Sequence, residues 1–488
     1  VSFHCKSIEE SKSSKCKWFP YNKGGAYRKW YGNQEFVVNW ENDGLEIRNF
    51  NGSVVRNPNT YFNESVSWSK ITISNLSMRY FPYGFIYDVA GCSIFNKNTE
   101  TLKYILALNN SLIVKSIIES ISPTVNYEVG QIGSLPVIFG SNDIVNKIVN
   151  LCDFNIQISK NDWDSFETSW DFQEHPLLRF KENGKVSDSF NKWKEYKQEQ
   201  FNKLKANEEE LNKLFIEIYG LKDEMDEKVE DKDITLKGAL ETEKDCIKSL
   251  LSYAVGCMFG RYSLDEKGLV FAGGEFDLSK YKSFPADEDA VIPVLSEHLF
   301  SDDITSRFKE FLKVAFGATY SEENLEYVAS VLGKKNTETA DDTIRNYFMK
   351  DFYNDHIKMY QKRPIYWMFS SPKGNFNALV YMHRYNKDTA SVILNSYLRN
   401  YRDEKLKAQI ENCKQIELSA STSQGDKIKA SKRREELEKI VKEVTDYERD
   451  ILYPLATERK EIDLDDGVKV NYLKFGKALK DFGLKAKK

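Results

Sequence analysis

The sequence predicts an α+β protein in which a β-rich N-terminal α/β domain precedes mostly α-helical domains and a C-terminal helical hairpin. Three patterns carry this prediction: apolar-polar alternation between turn residues over 17–140, helical periodicity from about residue 141, and a 3-4 apolar spacing near the C-terminus. The chain has 488 residues, enough for several domains. We predict four segments: 1–140, a helical connection 141–240, a mostly helical domain 241–387, and the hairpin with its tail 388–488.

Short strands and one helix are predicted in the N-terminal segment. Apolar and polar side chains alternate over 36–40, 68–73 and 85–89, and residues such as Asn51-Gly52 supply the turns between them. The run 101–120 has a broad apolar face and predicts a single helix.

Helical periodicity dominates the rest of the chain. A helix over 193–218 is predicted to end at Gly220, and another is predicted to begin with Ser321 as its cap and to end at Gly333. The segment 362–369 is short and apolar, which favours a strand. Over 388–453 two helices flank a polar turn at 419–426, which is typical of a helical hairpin.

Bulk composition excludes several classes of protein. A net charge of -4 and a pI of about 6.0 argue against a chain that is basic throughout, although a local basic face would suffice to bind nucleic acid. The seven cysteines are odd in number and include no C-x-x-C pair, which argues against a disulfide framework and indicates a reducing cytoplasm. Because no run of about 18 apolar residues occurs, we expect no membrane partner.

Catalytic signatures are missing from the sequence. It contains neither a P-loop nor a G-x-G-x-x-G motif, and the nearest string to the amino-methyltransferase signature [DN]-P-P-[YF] is 57–61, which lacks the second proline. The five histidines have no ligand-like spacing. Asp287 and Glu288 resemble half of a Mg²⁺-dependent nuclease site, without the expected E-x-K. We therefore predict no catalytic, cofactor-binding or metal-binding residue, and a nuclease is the last-ranked alternative.

The strongest functional pattern is a stretch of interleaved cations and aromatics over 15–31, around the pair Gly24-Gly25. Lysine and arginine contact phosphates or guanine edges, and glycines allow the backbone to approach a duplex. A solvated surface is the alternative interpretation and is the commoner one for such a stretch. The tryptophans Trp18, Trp30, Trp40 and Trp68 are predicted to be core residues. The candidate DNA-binding residues are Lys23, Tyr27, Arg28, Lys29, Arg56, Lys70 and Arg79.

Several strings, in order along nearly the whole chain, resemble a known family. They include KWFPYNKGG at 17–25, RKWYGN at 28–33, YAVGCMFGRY at 253–262, RPIYW at 363–367 and YPLATER at 453–459. The family is that of the BREX-type (bacteriophage exclusion) adenine-specific DNA methyltransferases called PglX. The strings WSKI at 68–71 and FIYD at 85–88 are similar to the specificity-domain pattern of that family and of related restriction-modification enzymes.

The resemblance implies a role in DNA recognition, but no catalytic residue of the family can be assigned to a position in this sequence. We expect the chain, which begins at Val1, to be a fragment that lacks an upstream methyltransferase domain, so S-adenosylmethionine is expected as a cofactor of the full-length enzyme alone. Segment 1–140 is then a target-recognition domain for double-stranded DNA in a cytoplasmic phage-defence system. Whether the chain itself acts as an enzyme stays open. The alternative is a protein-interaction scaffold that docks other defence subunits through acidic helices such as 208–210.

Overall fold

The computed structural model describes residues 1–121 and 125–484. It is a mixed α+β fold, with 53% of residues in helices and 9% in strands. The chain divides into two compact units, the first made of Val1–Phe172 with Trp193–Glu241 and the second of Gln173–Lys192 with Thr242–Lys488. The boundaries at 140, 240 and 387 stay a prediction.

Small sheets occur in both units. The strands are β1 (Trp18–Asn22), β2 (Phe36–Asn39), β3 (Ser65–Ser69), β4 (Met78–Phe81), β5 (Ile86–Tyr87), β6 (Gly91–Ile94), β7 (Val291–Pro293), β8 (Tyr366–Ser370) and β9 (Asn377–Tyr381). The first unit contains two sheets with strand orders β2-β1-β5 and β4-β3-β6, and the second contains one with the order β7-β9-β8. Neighbouring strands are antiparallel except β1 and β5, which are parallel.

Helices account for most of the remaining structure. The first ten are α1 (Ile8–Ser13), α2 (Glu41–Asn49), α3 (Thr99–Asn109), α4 (Leu112–Ile121), α5 (Val129–Gly133), α6 (Asn142–Trp163), α7 (Pro176–Arg179), α8 (Val186–Ile218), α9 (Glu243–Met258) and α10 (Ile304–Phe316). They are followed by α11 (Ser321–Leu332), α12 (Ala340–Lys350), α13 (Phe352–Met359), α14 (Thr389–Val392), α15 (Lys407–Leu418), α16 (Gln424–Tyr447), α17 (Tyr453–Glu458) and α18 (Gly467–Leu473).

The predicted strands are present but shorter than the alternating pattern. Strand β2 fills the predicted run 36–40 almost completely, β3 ends at Ser69 instead of continuing to residue 73, and β5 keeps only two residues. Strands β1, β4 and β6 were not predicted. Strand β1 contains Pro20, and β6 begins with a glycine, so neither matches the usual composition of a strand.

The single helix predicted over 101–120 is wrong, because α3 and α4 are two helices that meet at an angle of 66°. The side chain of Asn110 accepts a hydrogen bond from the Met78 N–H at 2.8 Å and donates to the Met78 carbonyl at 3.0 Å. This side chain therefore ties the break between the helices to the edge of β4. No single helix in the described ranges is long and apolar enough to cross a membrane, and only this bent pair reaches that length and composition together.

Helix ends follow the sequence signals closely. Helix α8 ends at Ile218, followed by Gly220 at φ +69°, and α11 ends in Gly333 at φ +106°, a conformation that glycine adopts without strain. Ser321 is the first residue of α11 and not its cap, since Tyr320 occupies the cap position without a side-chain hydrogen bond.

The C-terminal hairpin consists of helices on either side of the turn 419–423. Helix α15 ends at Leu418, Ser423 caps α16 by accepting a hydrogen bond from the Asp426 N–H, and Arg434 pairs with Glu417 at 2.8 Å across the two helices. Three π-helical segments extend these helices: Ile393–Leu398, Tyr401–Leu406 and Glu448–Leu452.

Two apolar clusters form the interior of the first unit. Phe19, Trp40, Phe62 and Ile86 pack around the β2-β1-β5 sheet, and a larger cluster joins Trp30 and the β4-β3-β6 sheet to α3, α6 and α8. The prediction of tryptophans in the core is confirmed for Trp30, Trp40 and Trp68, whereas Trp18 is half-buried. The seven cysteines are free thiols, six of them buried.

Candidate nucleic-acid interface

The loop 23–35, which connects β1 to β2, contains most of the candidate DNA-binding residues. Its centre is hydrogen-bonded to β4, because the Trp30 N–H donates to the Met78 carbonyl at 2.9 Å and the Tyr80 N–H donates to the Trp30 carbonyl at 2.8 Å. At its start, Gly24 has φ +71°, and a Cβ there would lie 2.7 Å from the Ala90 carbonyl oxygen. The loop is therefore packed into the fold.

Lys29 lies inside the first unit, paired with a carboxylate from α8. Its Nζ contacts Glu208, and both residues are buried, with exposed fractions of 5% and 4%. The second carboxylate oxygen of Glu208 accepts a hydrogen bond from the Trp30 indole at 2.7 Å. The Lys29 N–H donates to the Thr235 hydroxyl at 2.9 Å. The side chain thus joins the loop to α8 and presents no charge to solvent.

Arg28 is also buried. Its guanidinium lies 3.4 Å from the Asp162 carboxylate and 5.0 Å from the centre of the Trp163 ring. Asp162 also accepts backbone hydrogen bonds from Lys237 at 2.8 Å and Gly238 at 2.7 Å. The Arg28 side chain therefore links the loop to the end of α6.

Arg79 on β4 is completely buried. Its guanidinium donates to the Arg28 carbonyl at 3.2 Å and to the Ser69 hydroxyl at 3.1 Å, while its Nε has no hydrogen-bond partner within the described residues. Burial, with a contribution from the charge of Arg28, lowers the pKa of Arg79. The Arg79 side chain therefore fixes the backbone of the loop through its hydrogen bond to the Arg28 carbonyl.

Tyr27 is half-buried against acidic groups. Burial, together with the carboxylates of Asp233 and Glu208, raises the pKa of the Tyr27 hydroxyl. The residue lines a cavity of about 40 Å³ that these two carboxylates also line. Such a volume holds a few water molecules and is too small for a nucleobase.

Lys23 and Lys70 lie at one edge of the first unit. Lys23 is exposed after β1, and Lys70 follows β3. Two hydrogen bonds of 2.9 Å between Gly25 and the Ser69 hydroxyl join their loops. We call this surface, formed by 23–26, 70–74 and 88–90, the Lys23–Lys70 edge. Lys70 forms an exposed ion pair with Glu128 at 3.1 Å, a contact that contributes little to stability.

The same edge carries exposed apolar side chains. Ile71 and Ile73 are 65% and 97% exposed, and Val89 is 52% exposed. The Lys70 N–H donates to the Ala90 carbonyl at 3.0 Å, which brings the loop of Val89 beside that of the two isoleucines. Apolar side chains beside cations are typical of surfaces that bind another macromolecule.

Arg56 belongs to a different segment from these lysines. It is exposed on the segment that precedes the turn Pro58–Thr60. Among the described residues, no hydrogen bond or ion pair joins it to Lys23 or Lys70. The structure thus places two of the seven candidates on adjoining loops at the surface, buries three, leaves Tyr27 half-buried, and exposes Arg56 on another segment.

In the second unit, other parts of that unit hold the segment of Asp287 and Glu288. Asp287 is held by backbone contacts, and burial together with the charge of Asp289 raises its pKa to about 7. Arg384 donates to the carbonyl oxygens of Asp287 and Glu288 at 2.6 and 3.0 Å. Among the residues that the structure describes, no three His, Cys, Asp or Glu side chains are placed to hold a metal ion.

Two buried histidines in the second unit accept hydrogen bonds from backbone N–H groups. The Nε2 of His356 accepts hydrogen bonds from the N–H groups of Ile365 and Tyr366, both at 3.1 Å. The Nδ1 of His175 accepts from the Leu177 N–H at the start of α7. Burial lowers the pKa of both to about 3.

Asp162 and Glu208, the carboxylates that neutralise the loop, are not among the site residues predicted from the sequence. Glu208 was grouped with Glu209 and Glu210 as an acidic surface, but it is buried, whereas its two neighbours are half-buried. Its helical position was a usable signal: Leu204, Glu208, Leu211 and Phe215 lie at spacings of a single buried helix face. A charge within an apolar stripe predicts a buried ion pair.

Comparison with known proteins gives the chain a clear relationship. No family model matches it. It is 40% identical over 478 residues to the adenine-specific methyltransferase PglX of Lacticaseibacillus casei (strain Zhang), an alignment that covers 94% of the chain and 38% of that protein. It is 39% identical over 499 residues to the adenine-specific methyltransferase BrxX of Escherichia coli O9:H4 (strain HS), covering 95% and 40% respectively. The chain therefore spans about two fifths of the length of these relatives, and over nearly all of its own length it is homologous to proteins named adenine-specific methyltransferases.

Proposed function

We propose that this chain recognises double-stranded DNA as part of a site-specific N6-adenine methyltransferase of a phage-defence system. The homology to two adenine-specific methyltransferases carries the proposal. Methyl transfer from S-adenosylmethionine would belong to a methyltransferase domain elsewhere in the protein, because this sequence contains no [DN]-P-P-[YF] motif. The setting would be the cytoplasm, and other defence subunits are further partners of the proposal.

The Lys23–Lys70 edge is the best-supported contact surface for the duplex. Its two lysines lie on loops that the hydrogen bonds between Gly25 and Ser69 join, and the exposed pair of Lys70 with Glu128 can exchange for a phosphate at little cost. Ile71 and Ile73 are then placed to contact a groove. We assign Arg28 and Lys29 to positioning of the loop, because moving them to DNA would leave Asp162 without its cation and Glu208 as an unpaired buried charge. Arg79 is assigned the same role, because it is completely buried and its guanidinium donates to the Arg28 carbonyl.

Selection from a pool of random duplexes, over a series of salt concentrations, tests this function. We expect the chain to enrich one sequence motif, with an affinity that falls as salt rises because phosphate contacts release counterions. A folded chain that binds no duplex, alone or with an added methyltransferase domain, would contradict the proposal.

The C-terminal hairpin favours a second function, docking of a protein subunit. Leu418 at the end of α15 and Ile428 near the start of α16 are 79% and 49% exposed, and both lie near the turn 419–423. A scaffold would bind a defence-system subunit through this tip, and binding would be lost in a Leu418→Asp, Ile428→Asp variant. DNA binding that is insensitive to salt, or absent, in the same preparations would favour this alternative.

A further inference from the structure

A large aromatic cavity in the first unit lies apart from the Lys23–Lys70 edge. Its volume is about 390 Å³, which is in the range of sites that bind small organic molecules. All of its lining residues belong to 1–172. Seven of them are phenylalanine, tyrosine or tryptophan: Phe3, Tyr31, Tyr80, Tyr83, Phe85, Trp163 and Trp170.

Three of the aromatic rings, those of Phe3, Phe85 and Trp170, pack against one another and form what we call the aromatic wall. Trp170 lies parallel to Phe85, with ring centres 6.2 Å apart and planes at 20°, and Phe3 packs against the same tryptophan at 5.0 Å. Tyr83 is 41% exposed and Phe3 is 36% exposed, so aromatic surface reaches solvent. Flat faces of this kind bind planar rings by stacking.

One polar group of a residue that lines the cavity lacks a partner. Gln34 is 7% exposed, and its Oε1 accepts a hydrogen bond from the Tyr31 hydroxyl at 3.1 Å. Its Nε2 has no hydrogen-bond partner among the described residues. An unsatisfied buried donor is costly, and a ligand with a ring nitrogen or carbonyl acceptor would remove that cost.

Cations accompany the aromatic groups. The Nζ of the exposed Lys6 lies 6.0 Å from the centre of the Tyr83 ring. Lys160 lies 5.2 Å from the centre of the Tyr31 ring and pairs with Asp164 and Asp171 at 2.5 and 2.6 Å. Lys160 is therefore neutralised, whereas Lys6 is available to a phosphate.

We propose that this cavity binds the base of an unpaired nucleotide in DNA. The base would stack on the aromatic wall, and Lys6 would contact the adjoining phosphate. The Gln34 side chain would turn toward the cavity so that its Nε2 donates to an acceptor on the base. The cavity is a different site from the Lys23–Lys70 edge. The inference depends on the proposed function only in taking the base from DNA, since a free nucleotide offers the same ring chemistry.

Fluorescence of 2-aminopurine tests the site directly. We would titrate the chain into a duplex with a single bulged 2-aminopurine and, separately, into 2-aminopurine riboside 5′-monophosphate. Stacking on the aromatic wall should quench the bulged base. The substitutions Trp170→Leu and Gln34→Glu should each weaken that binding about tenfold, because the first removes the stacking surface and the second replaces the donor by an acceptor.

Controls separate this site from other aromatic groups and from duplex binding. Phe50→Ala removes a ring that is 73% exposed and outside the cavity, and it should leave quenching unchanged. Circular dichroism checks the fold of each variant, and anisotropy of a fully paired duplex reports binding at the Lys23–Lys70 edge.

The outcomes are distinguishable. Quenching of the bulged base that both substitutions weaken supports the proposal. If the chain binds paired duplex but does not quench the bulged base, the cavity site is overturned and the proposed function stands. The same conclusion follows if the chain quenches the bulged base equally well with and without Gln34→Glu. Quenching of the free monophosphate alone overturns DNA as the source of the base. Neither quenching nor duplex binding by a folded chain overturns both.

Discussion

Lys29 and Lys23 lie on the same loop, yet their charges have opposite environments. Lys29 is buried against Glu208, whereas Lys23 is exposed at the Lys23–Lys70 edge. Arg79 and Lys70 repeat the contrast around β3, since the first is completely buried and the second is paired only with an exposed carboxylate. The residue type therefore does not decide which of these cations lies at the surface, where it could contact DNA.

The difference comes from partners distant in sequence. Glu208 lies on α8 and Asp162 on α6, and both are placed beside the loop by the apolar faces of their helices. A buried charge must be paired to be tolerated, whereas an exposed one is stable in water alone. Internal cations thus position the loop and surface cations are free to bind.

The largest effect should follow from breaking the buried pair. We expect Lys29→Met to lower the free energy of unfolding by about 3–5 kcal/mol, because Glu208 would remain as an unpaired internal charge. Urea denaturation measures the change. Adding Glu208→Gln, which removes that charge while keeping an acceptor for the Trp30 indole, should restore most of the stability. A single variant as stable as the parent would show that the pair is not buried in solution.

The next largest effect concerns buried histidines, which extend the comparison to the second unit. His175 and His356 have pKa values lowered to about 3 in the fold, so the unfolded chain binds protons first as pH falls. Stability is therefore complete above about pH 6.5 and is lost toward pH 3, by about 1.4 kcal/mol per pH unit for each histidine.

The titration of Asp287 has the opposite effect on stability and would offset part of the loss caused by the histidines. Its pKa is raised to about 7, so its folded state takes up a proton first and gains stability between about pH 7 and 4. We would therefore measure urea midpoints at pH 7.5 and 5.5 in an Asp287→Asn background. A midpoint that does not fall at the lower pH would contradict the burial of both histidines.

Removing the two surface lysines should change binding while leaving the fold intact. We expect Lys23→Ala with Lys70→Ala to reduce the slope of log affinity against log salt by about 2 for duplex DNA. The free energy of unfolding should change by no more than about 0.5 kcal/mol. An unchanged slope would exclude this edge as a phosphate-binding surface.

Arg56→Ala should have the smallest effect. The residue is exposed but does not belong to the segments that form the edge, so we expect its removal to alter the salt slope less than that of either lysine. It is the matched control for the double variant. A loss of about 1 in the slope would show instead that the bound duplex reaches the Arg56 segment.

Periodicity and turn residues predicted the mixed class, the ends of α8 and α11, and the burial of Trp30, Trp40 and Trp68. The bend between α3 and α4 could not be predicted from local periodicity, because the Asn110 side chain at the bend is hydrogen-bonded to Met78 of β4, which is distant in sequence. The candidate site was limited in the same way. Cations could be listed from the sequence, but their burial depends on carboxylates that only tertiary structure brings near.

The contact of Lys29 with Glu208 joins positions that are 179 residues apart. Closing so long a segment is slow compared with local helix formation, so the loop is expected to reach its final conformation late in folding. During synthesis, α8 must emerge from the ribosome before Lys29 can pair with Glu208 and fix the loop 23–35. A fragment ended at residue 140, the boundary predicted from the change in apolar periodicity, would retain strands β1 to β6 but lack α8, the helix that holds the loop 23–35 in place.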